Sequence, residues 1–81
     1  MGCLIIFKSI TYAQRASRIL AAKGIASTMI KPPVSLGKSC SYALKLRQEE
    51  LAGAAALLRR SNIPLNGTFV LEEGYYREVQ V

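Results

Sequence analysis

Near the start of the chain, Cys3-Leu4-Ile5-Ile6-Phe7 is an unbroken apolar, β-prone run, the pattern of a central strand buried on both faces. No apolar stretch in the chain is longer than the five residues of this run, far short of the roughly 20 that a membrane-spanning helix needs. The whole chain is 81 residues, room for one domain over residues 1–81 and no more. A domain this small buries only about 60% of its unfolded surface, so a second copy of the chain is a candidate partner. Met1-Gly2-Cys3 has no charged lead-in, and no small-residue cleavage site follows it, so it does not open a secretory signal. The chain reads as cytoplasmic, where two cysteines are expected as thiols rather than as a disulfide.

After the first run, Ser9 offers an N-cap hydroxyl. Tyr12, Ala13, Ala16, Ile19, Leu20 and Lys23 then recur at helical spacing, with Gln14, Arg15 and Arg18 on the outer side. Gly24 fits the left-handed position that ends many helices. A short strand follows over Ala26–Ile30 and is stopped by Lys31-Pro32-Pro33, since proline has no N–H to give to a ladder. Residues 31–39 form a loop. From Ser41 to Leu46 the pattern alternates, Tyr42, Leu44 and Leu46 against Ala43 and Lys45, which predicts a third strand.

The spacing of Leu51, Ala54, Ala55, Leu57 and Leu58 predicts a second helix over Gln48–Ser61. Its charge order, Glu49-Glu50 early and Arg59-Arg60 late, complements a helix dipole. Asn62 to Gly67 is turn-rich, Thr68 to Leu71 is a fourth strand, and Glu72-Glu73-Gly74 turns into a fifth over Tyr75–Val79. The order is βαββαβ with an added C-terminal edge strand. Its usual solution is an α+β, ferredoxin-like two-layer sandwich with both helices on one face of the sheet.

Composition narrows the chemistry. The chain has no histidine and a net charge of +6, which removes His-based acid–base catalysis, His-activated nucleophiles and most zinc sites. Aspartate is missing too, and four of the five glutamates fall as neighbours in sequence, unlike a catalytic dyad. Composition therefore argues against a self-contained hydrolase, and no metal or cofactor is expected.

In the expected topology the end of the first strand, the loop between the second and third, and the start of the first helix meet at one rim. Cys40 belongs to that rim and Cys3 to the opposite one, which argues against a bridge between them. The rim gathers Lys8, Ser9, Lys31, Lys38, Ser39 and Ser41 around Cys40. It also gathers the positive end of the first helix, and neither acidic pair falls there. Such a setting lowers a thiol's pKa below its free value of about 8.5. Gly37-Lys38-Ser39-Cys40-Ser41 is polar and loop-like, whereas Cys3 sits among core residues.

Ile5-Ile6-Phe7-Lys8-Ser9, Ala13, Pro33 and Ser39-Cys40-Ser41-Tyr42-Ala43-Leu44 together resemble the putative selenium/sulfur carrier-like family, a short bacterial domain of otherwise unknown function. The likeness runs from Leu4 to about Asn66. It implies that Cys40 is a carrier thiol holding a persulfide or selenium adduct. It also implies that a donor such as a cysteine desulfurase loads it and that an acceptor protein unloads it. Ser41 stands where the family's pattern has glycine, which alters backbone freedom beside the thiol.

Two readings from other classes compete. A regulatory or protein-interaction module would use an exposed sheet face and the Tyr75–Val79 edge to dimerise or to hold a small ligand. RNA binding suits the fold and the charge, but the central strands supply only Phe7 and Tyr42 as stacking aromatics, so nucleic acid is not the expected partner.

Overall fold

A computed structural model describes residues 2–33, 36 and 42–81. The elements are β1 (Gly2–Phe7), α1 (Ile10–Ala22), β2 (Thr28–Ile30), β3 (Tyr42–Arg47), a 3-10 turn at Gln48–Glu50, α2 (Leu51–Arg60), β4 (Thr68–Glu72) and β5 (Tyr75–Glu78). The five strands form one antiparallel sheet in the order β2-β3-β1-β4-β5. The architecture is α+β and compatible with a ferredoxin-like sandwich carrying an extra edge strand.

β1 is the centre of the molecule, with β3 on one side and β4 on the other. Every residue from Cys3 to Phe7 is fully buried. Alternate side chains point to opposite faces, so the continuous run serves two cores. Cys3, Ile5 and Phe7 join Leu44, Leu46 and Val70 under Ala13, Ala16, Leu20, Leu51, Ala54 and Leu58 of the helices. Leu4 and Ile6 join Ala43 and Phe69 on the other face, where Ile30, Leu36 and Tyr76 pack against them. The interaction-module reading needs this second face exposed, whereas the pattern of the first run calls for burial on both faces. The face is covered, because three strands place apolar side chains on it and Leu36, from the segment between β2 and β3, lies over them.

The helix ends share one device. Gly24 (φ +77°) follows α1, and the Ile25 N–H returns to the Leu20 carbonyl at 2.9 Å. Asn62 (φ +62°) follows α2, and the Ile63 N–H returns to the Leu58 carbonyl at 3.0 Å. Each is a left-handed cap that satisfies late carbonyls and tucks the next isoleucine against the core. The first cap explains why β2 starts at Thr28 and not at Ala26: Ile25 is spent on the cap, and two more residues are needed to reach the sheet edge. The turn between β4 and β5 is Glu73-Gly74, both at positive φ (+50° and +86°), the two-residue turn whose twist matches paired strands.

Candidate functional site

β1 ends at Phe7, which lies opposite Tyr42 at the start of β3, and Ile30 at the end of β2 lies opposite Ala43. The ends of two parallel strands and the beginning of the strand between them therefore share one rim, as the topology argument requires. Lys8, exposed, and Ser9 continue from Phe7. Ser9 has extended backbone (φ −136°, ψ 156°), and its hydroxyl oxygen accepts from the Tyr12 N–H at 3.3 Å. Its carbonyl accepts from the Ala13 N–H at 3.2 Å. Ser9 is thus the N-cap of α1 and fixes where the helix starts. No acidic residue occupies the first turn of α1, so the positive helix end at this rim is not neutralised from within the helix.

Lys31 leaves β2 and turns its ammonium over the Tyr42 ring, 4.9 Å from the ring centre. The ring's negative face attracts the cation and holds it at the rim. On the other side of Phe7, Lys8 lines a cavity of about 390 Å³ with Tyr12, Pro64, Leu65 and Asn66. The chain before β4 is pinned to β1 here. The Asn66 N–H donates to the Ile6 carbonyl at 2.7 Å, and the Ile6 N–H donates to the Gly67 carbonyl at 2.9 Å. Lys8, Ser9 and Lys31 therefore stand at one end of the sheet. Lys38, Ser39, Cys40 and Ser41 lie outside the described residues.

The charge on the remaining residues is divided. Glu49 and Glu50 follow β3, and Glu72 and Glu73 lie at the β4–β5 turn, all at the Gly2 end of the sheet. Glu78 is at neither end: it lies opposite Phe69, which lies opposite Leu4. The Arg59 guanidinium donates to the Val81 backbone oxygen. Among the described residues there is no group of three or more metal-ligating side chains, and no helix is long and apolar enough to cross a membrane.

Cys3 has no exposed surface and is a free thiol. Its Sγ lies 3.6 Å from the Arg47 carbonyl oxygen, a weak donor contact. Burial pushes its pKa up to about 11, against a smaller lowering from a backbone hydrogen bond and a further rise from Glu49. This thiol is neutral at physiological pH and closed to reagents.

Two contributors were not visible in the sequence. Tyr42 reads as a core-facing strand residue, and only the fold shows its ring carrying Lys31. Asn66 sits in a turn-rich stretch with nothing to mark it as the residue that closes the cavity beside Lys8. Both are brought to the rim by pairings far apart in the chain, which local spacing does not encode.

Searches of curated proteins and of solved structures gave no match. A family model described as Putative Se/S carrier protein-like matches residues 2–70, from β1 into β4 and including Cys40 and the whole rim. The chain belongs to that Se/S carrier protein-like family.

Proposed function

We propose that the chain is a cytoplasmic sulfur or selenium carrier that holds its cargo on Cys40 and passes it between a donor and an acceptor protein. The observation that carries this reading is the state of the other thiol. The chain has two cysteines, and Cys3 is fully buried with a pKa raised to about 11. The burial of Cys3 supports Cys40 as the carrier thiol in this reading. Its sequence neighbour two positions on, Tyr42, stands at the rim with Lys31, Lys8 and the start of α1.

The step is a sulfur transfer between thiols. The Cys40 thiolate attacks the outer sulfur of a donor persulfide, forming a new S–S bond as the donor's S–S bond breaks. The donor cysteine leaves with the bonding pair as a thiolate and takes a proton from water. Cys40 then holds the persulfide, and the same exchange in reverse sense gives it to the acceptor. No electron is gained or lost overall, and no base on the domain is required. A persulfide is anionic, so a helix N-terminus and lysines nearby favour the loaded state. Lys38, Ser39 and Ser41 flank the thiol in sequence and supply further donors in this reading. For selenium, the transferred atom changes and the bond changes do not.

Intact mass spectrometry after incubation with a cysteine desulfurase and cysteine tests this. Wild type is expected to gain the mass of one sulfur atom, removable by a thiol reductant, and Cys40→Ser to gain none. A wild type that stays unmodified while a known acceptor in the same tube is loaded would leave the domain an interaction module with an incidental thiol.

A further inference from the structure

β5 is an outer edge of the sheet, and among the described residues no strand pairs with its far side. Which of its backbone groups face outward follows from the hairpin. A two-residue turn makes Glu72 and Tyr75 a reciprocal hydrogen-bonded pair, and the Val79 N–H to Thr68 carbonyl bond at 2.9 Å keeps the same phase further along. Bonding alternates along an antiparallel ladder. Tyr75 and Arg77 therefore spend their backbone groups on β4, while Tyr76 and Glu78 direct theirs away from it. Beyond Glu78, Val79 stays bonded to Thr68 with its side chain on the helix-side core, and the Val81 oxygen is held by Arg59.

The opposite edge is poorer. β2 is three residues long and runs into Lys31-Pro32-Pro33, and short edges followed by proline resist further pairing. β5 also carries the most exposed large hydrophobic side chain in the described structure, Tyr75 at 79%. The match to the family ends at residue 70, so β5 lies beyond what the family pattern describes.

We propose that β5 pairs antiparallel with β5 of a second copy of this chain, about a two-fold axis at Tyr76. Charge selects this register. Around Tyr76 the two Tyr76 residues exchange hydrogen bonds, and Tyr75 of each chain lies opposite Arg77 of the other. Arg77 is already oriented by Glu72, at 2.8 and 3.0 Å, and Glu72 lies beside Tyr75 in the hairpin. Each arginine thus meets a tyrosine ring backed by the opposite chain's carboxylate. On the other face, Leu71-Tyr76 of one chain continues into Tyr76-Leu71 of the other, an apolar row across the seam. Glu78 comes alongside Gly74, where nothing lies within 4 Å of the position a side chain would take. Shifting the axis to Arg77 sets two arginines directly opposite, which is unfavourable on a sheet. This inference does not depend on the carrier reading, because it uses no thiol.

Sedimentation velocity over a concentration series, followed by register-specific cross-linking, tests the pairing. The wild-type mass is expected to rise from 8.8 kDa towards twice that value. In a Cys40→Ser background, a mixture of Tyr75→Cys and Arg77→Cys proteins is expected to form a disulfide dimer under mild oxidation. The sites lie opposite each other within the ~4.4–6.8 Å between Cα atoms that a disulfide spans. Neither variant alone is expected to do so. A wild-type mass that stays at one copy throughout overturns the proposal, as does self-cross-linking of Arg77→Cys to the same extent as the mixture.

Discussion

Cys3 is held in β1 with its sulfur turned to the helix-side core, and desolvation sets its behaviour. An ionised thiolate there loses water and gains no cation, so the folded state keeps the proton to about pH 11, while the unfolded chain releases it near 9.0. The folded state binds more protons over that window, so this contribution is fully present below about pH 9 and is lost as pH rises towards 11. Its size is on the order of 3 kcal/mol across the window. Cys3→Ala is therefore expected to flatten the alkaline limb of the stability curve relative to wild type, measured by urea melts at several pH values. Parallel curves for the two proteins would show that the thiol ionises at the same pH in the folded and unfolded states. The two cysteines were separable in the sequence for a plain reason: one lies inside an apolar run and the other in a polar, glycine-containing segment. The surroundings of Cys40 were a matter of topology, and only Lys8, Ser9 and Lys31 of the seven expected site residues fall where their positions are described.

At the scale of elements, the outer face of the sheet is the instructive case. Leu4, Ile6 and Ala43 have no exposed surface and Phe69 has 5%, a degree of burial that a two-layer sandwich does not by itself give to its open face. Leu36 supplies part of the cover. It is a single leucine between Ser35 and Gly37, with no periodicity to announce it, so residues 31–39 read as loop and the source of the cover over this face is not legible in the sequence. The strands and helices were legible because their apolar positions repeat: Ala13, Ala16 and Leu20, and Leu51, Ala54, Ala55 and Leu58, are the buried stripes. A one-residue lid has no repeat. Truncating it, Leu36→Ala, is expected to cost about 1–2 kcal/mol, less than a fully buried leucine because the side chain is only partly enclosed. It should also raise binding of a dye that reports exposed apolar surface. An unchanged denaturation midpoint with no added dye binding would remove Leu36 from the account of why this face is dry.

The molecule as a whole combines a positive net charge with central strands that, among the described residues, present no open aromatic surface. All ten cationic side chains whose exposure is described lie on the surface, and the net charge is +6. Phe7 and Tyr42, the aromatics that a base-stacking platform would use, belong to the helix-side core. The other face presents buried Leu4, Ile6 and Ala43 under Leu36. Charge without a stacking surface gives attraction to phosphates but no means of reading bases, because phosphate contacts position while base contacts specify. Binding to single-stranded oligonucleotides is accordingly expected to be electrostatic alone. Fluorescence anisotropy should show weak association at low salt, equal for different homopolymers. That association should fall log-linearly with salt, at a slope of about −0.7 per phosphate neutralised, and vanish near about 0.15 M. Sequence-selective binding that survives at that ionic strength would mean that the Leu36 cover lifts to expose the sheet, and would return RNA recognition to the front of the possibilities. The same salt series on sulfur loading would read the other use of the charge, since a basic carrier meeting an acidic partner loses encounter rate as the Debye length contracts.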